Sequence, residues 1–147
     1  MIELLVWVLR KLFLVREIVS RKDVVHFQRY RVISTPWFKI FIHRILESDG
    51  DKDLHDHPFD FKSLVLKGSY KEYYAIGPQW GLVKERVFKP LRINSHAHDD
   101  AHKIEVIKGP VWTLFFTNGR LHEWGYQTNL GWIENSRYRL MKRNGQI

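Results

Sequence analysis

The sequence predicts one small antiparallel β-barrel preceded by a single amphipathic helix. Three observations lead there. Most of the chain breaks into short runs rich in Val, Ile, Phe, Tyr and Trp, separated by turn-forming residues. The first nineteen residues instead carry a helical period. Five of the eight histidines fall in two tight groups, which places a metal-binding function on the barrel.

The helix is expected over residues 3 to 19. Glu3, Arg10 and Glu17 recur every seven residues and share a face, while Leu5, Leu9, Leu12, Phe13 and Val19 fall elsewhere on the wheel. Such a helix packs on the barrel or at a homodimer interface; its Trp7, Arg and Lys residues also fit weak contact with a membrane surface. Its charges rule out a span, since no uncharged stretch approaches the roughly 20 residues a span needs. Their order is wrong for a secretion signal, so a cytoplasmic location is expected. The division is therefore 1–22 for the helix and 23–147 for the barrel.

Strand candidates follow in order: Val24 to Ile33, Trp37 to Leu46, Phe59 to Leu66, Tyr70 to Ile76, Leu82 to Phe88, His102 to Ile107, Val111 to Thr117, and Leu130 to Met141 in part. Ser34-Thr35-Pro36, Asp49-Gly50-Asp51, Lys67-Gly68, Gly77-Pro78, Gly109-Pro110 and Asn118-Gly119 supply the turns between them. This spacing of short strands reads as a sandwich or barrel.

Composition bounds the function. The 147 residues suit one domain, and 44% hydrophobic with 27% charged residues is ordinary globular usage. The absence of cysteine excludes disulfide scaffolds, thiolate metal sites and cysteine nucleophiles. A net charge of +8 favours anionic ligands, but the basic residues are scattered. Aromatic strand residues are ordinarily core, which argues against single-strand nucleic-acid stacking. No phosphate-binding glycine loop, dinucleotide fingerprint or Ser-His-Asp pattern is present.

The histidines carry the chemistry. In an extended segment His55 and His57, at i and i+2, project to one face and can grip one ion together. A third ligand must come from another strand. His102 opens the run His-Lys-Ile-Glu-Val-Ile and is the better candidate; His96 and His98 lie in a polar, loop-like stretch and are assigned to the mouth or to a weaker second site. If His57 faces inward, so do Phe59, Phe61, Ser63 and Val65. Tyr70, Glu72 and Tyr74 share a face by the same alternation. With that face inward, Glu72 is the available general base and Tyr70 a donor; with it outward, Glu72 is an exposed residue beside Lys71. His43 and Glu72 are further ligand candidates, placed rather in support of the metal. His122 is expected at the surface or behind a ligand, and Arg44, Arg86 and Arg92 are candidates for an anionic substrate.

Gly50, His55-x-His57 and Gly68 resemble the first motif of the cupin superfamily, and Pro90 to His102 followed by Gly109-Pro110-Val111 resembles the second. The strings His55-Asp56-His57-Pro58, Leu66-Lys67-Gly68-Ser69-Tyr70-Lys71-Glu72, His102-Lys103-Ile104, Trp112-Thr113-Leu114 and Trp124-Gly125 resemble short cupin-like proteins of unknown function, many from bacteriophages. The resemblance covers about residues 37 to 140. It implies a double-stranded β-helix, or jelly-roll barrel, with the metal on His55, His57 and His102. The glutamate of the first motif is missing: its spacing lands on Phe61, with Lys62 beside it. What remains is similar to the three-histidine sites of thiol dioxygenases and some diketone-cleaving dioxygenases. One divalent ion is implied, ferrous iron first, with zinc, manganese or nickel also compatible. The expected function is a metal-dependent, oxygen-using enzyme on a small, anionic molecule. The alternatives are metal-assisted isomerisation or hydrolysis, and a non-enzymatic module for a small ligand or nucleotide.

Overall fold

The computed structural model describes residue 7, residues 16–21 as backbone, and residues 24–76 and 82–147. Ten strands and one helix lie among them: β1 (Arg16–Arg21), β2 (Val24–Ser34), β3 (Phe38–Ile45), β4 (Leu54–His55), β5 (Phe61–Ala75), β6 (Val83–Phe88), β7 (Ile93–His96), β8 (His102–Asn118), β9 (Gly125–Thr128), β10 (Gly131–Glu134) and α1 (Asn135–Arg143). Every pairing recorded between them is antiparallel.

The path β1-β2-β3-β8-β4-β9-β10 forms one row, and β5 joins it through β8 while also pairing β6 and β7. The long strands β5 and β8 pair along almost their whole length, from Phe61↔Thr117 to Tyr74↔His102. The sequence expects two strands in each, broken at Lys67-Gly68 and Gly109-Pro110. Those breaks are instead an irregularity within continuous strands, with register shifts between Val65 and Tyr70. Gly68 adopts φ +81°, and a Cβ there would lie 2.5 Å from the Lys108 carbonyl oxygen, so only glycine passes. The irregularity lets one strand serve both ends of the barrel.

Alternation sorts the side chains. Phe61, Ser63 and Val65 are buried while Lys62 is exposed, as the sequence pattern expects. Phe41, Phe61 and Phe115 meet with Phe59 inside the barrel. Val65, Tyr70, Phe88 and Val111 fill its other end. Tyr30, Ile42 and Trp112 form a separate cluster with Leu66 and Leu114.

Two expectations are corrected. A helix does not reach residue 19, because Arg16–Arg21 is a strand paired with β2. The helical period there yields to a β-branched run, Ile18-Val19, beside an available strand edge; ladder pairing outweighs a weak local preference. The sheet therefore runs across the expected boundary at 22/23. The rest of the predicted helix, apart from Trp7, lies outside the described residues. At the other end, the strand expected within Leu130 to Met141 ends at Glu134, and Asn135–Arg143 forms a helix. The Glu134 side chain accepts from the Ser136 N–H, and Lys142 and Arg143 close the last turn. This helix lays Tyr138 on Tyr126, with ring centroids 3.8 Å apart, and the Tyr138 hydroxyl donates to Asp53 at 2.8 Å. It thereby clamps the segment that carries β4.

Candidate metal centre

His55 is held by pairing on both sides. It sits opposite His102 on β8 and opposite Tyr126 on β9. Directly opposed residues of an antiparallel pair share a face, so His55 and His102 point the same way. His57 follows two residues later. Its N–H donates to the His98 carbonyl at 3.3 Å, and its carbonyl accepts from His122 Nε2–H at 2.7 Å. Between them Asp56 is buried, and one carboxylate oxygen accepts from the Gly125 N–H at 2.6 Å while the other accepts from Trp132 Nε1–H at 2.8 Å. The middle residue of His-x-His is thus the anchor that turns both imidazoles inward. Only glycine fits at position 125, since a Cβ there would strike the Ile133 carbonyl oxygen.

The three imidazoles converge. One ring nitrogen from each of His55, His57 and His102 lies within 4.8 Å of the others, and the His57 and His102 Nε2 atoms are 2.8 Å apart. Two nitrogens bound side by side at 2.0–2.1 Å to one ion sit about 3 Å apart, so the spacing fits a shared cation. His102 Nδ1–H donates to Glu72 Oε1 at 2.6 Å. That bond fixes the tautomer and leaves the His102 Nε2 lone pair facing His57, the arrangement of a carboxylate-oriented metal ligand. Burial first, and neighbouring imidazoles second, lower the basicity of His57. Burial likewise lowers that of His102, against the pull of Glu72. Both rings are therefore neutral, the form that ligates.

Behind His102 stands a polar network centred on the fully buried Glu72. Glu72 Oε1 accepts from His102, from His96 Nε2 at 2.7 Å and from Asn94 Nδ2 at 2.6 Å, and Oε2 accepts from Arg86 Nε at 2.5 Å. Burial alone would raise the Glu72 pKa, but the bonds from His102 and His96 outweigh it and hold the carboxylate ionised, well below its ordinary range. The reading of Glu72 as an exposed hairpin residue is overturned: its side chain is 0% exposed. Glu72, His96 and His102 also have ligand atoms within 4.8 Å of one another. However, the Arg86 guanidinium touches Glu72 and lies 3.1 Å from His96 Nε2, and a fixed cation there repels a second one.

Tyr70 is buried, its ring stacked on Phe88 at 5.2 Å and its hydroxyl accepting from Asn94 at 3.1 Å; burial pushes its pKa up. His96 is not a loop residue at the mouth but a buried strand residue of β7. His98 does lie in a loop, bound to Asp60 at 2.9 Å. His122 stands behind His57, as expected. His43 is buried among Phe27, Phe41 and Phe115 and belongs to neither convergent group. Phe61 faces the cluster, 4.9 Å from His57 and 5.7 Å from His102 by ring centroids. Arg86 is committed to Glu72, and Arg44 lies over the Trp112 ring at 5.4 Å. Arg92 is exposed. Sequence reasoning missed Asn94 and Asp56. Asn94 and His96 alternate with exposed Ile93 and Ser95 on β7, a two-residue period visible in the sequence but hidden by its polar composition.

No protein-family model matches the sequence, and no curated protein does. Solved structures do resemble it. KdgF from a Halomonas species superposes with a TM-score of 0.54 at 15% identity, over 71% of this chain and 88% of that one. HEPD from Streptomyces albus, solved with 2-hydroxyethylphosphonate and Fe(II) bound, gives 0.59 at 13% identity over 73% of this chain, which spans only 24% of that enzyme. A cupin superfamily protein from Desulfitobacterium hafniense gives 0.51 at 14% identity, over 69% of this chain and 84% of that one.

Proposed function

We propose that this chain, which shares the fold of the cupin superfamily, is a metal-dependent enzyme acting on a small molecule. The metal is one divalent ion held by His55, His57 and His102. The observation that carries this reading is the placing of the two His102 nitrogens: Nδ1–H is given to a buried, ionised Glu72, and Nε2 lies 2.8 Å from His57 Nε2. A ring restrained in that tautomer is prepared to give its lone pair to a cation.

Ferrous iron is the favoured ion, because three neutral ligands leave it its full charge and up to three open positions, enough for a substrate and dioxygen. The Fe(II) bound in HEPD supports that choice. The protein's own residues do the positioning. Glu72 orients His102 and balances charge across the network. Arg86 and Asn94 hold Glu72, and Tyr70 accepts from Asn94. With these bonds in place Glu72 acts through His102, not as a base towards substrate. Phe61 occupies the position where the cupin motif has a carboxylate, and its ring keeps that side of the histidines apolar.

Nitric oxide binding to the ferrous protein tests the oxygen chemistry. A spectroscopic iron–nitrosyl signal is expected, and F61E should weaken it by supplying a carboxylate ligand. A ferrous protein that retains iron and gives no such signal contradicts an oxygen-using site and leaves a hydrolytic, isomerising or purely binding role.

A further inference from the structure

His43 takes no part in the candidate metal site, yet it is only 8% exposed inside the barrel. It faces inward on β3 next to Phe41, directly opposite Thr113 on β8. Opposed residues in such a pair have Cβ atoms about 5 Å apart. Among the described residues, neither His43 Nε2 nor Thr113 Oγ1 has a hydrogen-bond partner. Buried polar atoms without partners are rare, because each keeps the cost of leaving water and gains nothing in return. Here two of them occupy directly facing positions on paired strands.

The surroundings say what carries that polar group. His43 is walled by Phe27, Phe41 and Phe115, at ring distances of 4.7, 5.8 and 4.4 Å. Phe115 continues to Phe59 at 6.1 Å and Phe61 at 4.8 Å, and those two flank His57. A chain of aromatic ring contacts thus runs from His57 to His43. Burial first, and the Arg29 charge second, pull the His43 pKa down to about 3, so the ring is neutral at physiological pH. The Arg29 guanidinium is itself laid over the Phe41 ring at 4.9 Å.

We propose that the barrel interior binds a compact apolar molecule carrying a neutral hydroxyl, and that His43 and Thr113 are the residues that select the hydroxyl. A hydroxyl both donates and accepts, which matches an imidazole nitrogen and a threonine hydroxyl together. A carboxylate or phosphonate has no cationic partner in that pair. This deepens the proposed function by naming its ligand class, and it rests on the ligand site being the barrel interior beside the metal.

The test uses zinc-loaded protein and two fluorinated probes of one shape, 4-fluorobenzyl alcohol and 4-fluorotoluene, followed by fluorine NMR. The wild type should bind the alcohol roughly tenfold more tightly, the discrimination expected of a buried hydrogen bond. H43F should bind both probes alike while keeping its zinc, measured by elemental analysis on the same samples. Because the ion remains in H43F, loss of the preference assigns it to His43. T113V should reduce the preference too, and decides the matter if H43F does not fold. A wild type that binds neither probe or does not discriminate, or an H43F protein that keeps the preference, overturns the proposal. Zinc missing from a wild type that still discriminates would remove the metal reading and leave this one standing.

Discussion

Replacing Glu72 by Gln keeps the shape of the side chain and removes its charge. Glu72 receives four donors, three on Oε1 from His102, His96 and Asn94, and one on Oε2 from Arg86. A glutamine amide presents one oxygen and one NH2. If the oxygen keeps the three donors on its side, the NH2 meets Arg86 Nε–H, donor against donor. The reverse orientation sets three donors against the NH2 and is worse. Removing one partner of a buried ion pair costs about 3–5 kcal/mol. The Arg86 side chain is 38% exposed, so water takes up part of its orphaned charge, and a loss of about 2 kcal/mol in unfolding free energy is expected. The more telling effect is on the metal. Carboxylates that orient a ligating histidine typically contribute about 10- to 100-fold in affinity. A chelator competition with zinc should therefore show E72Q weaker by that factor. The same substitution in an H102A background should have no further effect on metal affinity, because the residue it acts through is gone. An E72Q protein that is destabilised but binds zinc as tightly as wild type would refute the orienting role and reduce Glu72 to core support.

Three further outcomes are expected. D56A leaves the Gly125 N–H buried without a partner and frees Trp132; it should lower stability by about 2 kcal/mol in urea titration and weaken zinc by at least about tenfold, since both His55 and His57 lose their anchor. G68A forces a Cβ into a φ of +81° and onto the Lys108 and Pro110 carbonyl oxygens, so it should cost at least about 2 kcal/mol; a loss below about 0.5 kcal/mol, the scale of a surface change, would show that the two long strands do not depend on this irregularity. The depressed pKa of His43 makes stability pH-dependent: its unfolded value is 6.5 and its folded value about 3, so its contribution is complete above 6.5 and is lost as pH falls. In metal-free protein, wild type should lose about 2 kcal/mol more than H43F between pH 7 and pH 5, read from urea midpoints at each pH.

The residues that the sequence marks well are those whose signal is local. The alternation from His57 through Val65 identifies the inward face of β5, and the side chains lie as it expects. His55, His57 and His102 stand out because imidazoles at i and i+2, with a third on a strand, are a pattern of side-chain type and period alone. Elements governed by long-range pairing are less legible. Gly68 and Gly109 look like turns from neighbouring residues, and only the opposite strand makes them points along a continuous ladder. Arg16–Arg21 carries a helical period but pairs with β2. The C-terminal helix is nine residues long, too short for its period to stand out from the strand before it.

The supporting half of the site is hidden for the same reason. Glu72 meets His102 because Tyr73, its neighbour, pairs with Lys103 and Tyr74 with His102, a register fixed some thirty residues away. Asn94 and Arg86 reach Glu72 from two other strands, β7 and β6. Each is an unremarkable polar residue until the sheet closes. Asp56 sits within the motif itself, yet its role depends on Gly125 and Trp132 at the far end of the chain.

Metal stoichiometry decides whether one ion sits on His55, His57 and His102. Protein purified without added metal, then loaded and desalted, should carry one divalent ion per chain by elemental analysis. H55A, H57A and H102A, each verified as folded, should each fall well below that. Unchanged metal content in all three variants would contradict the assignment.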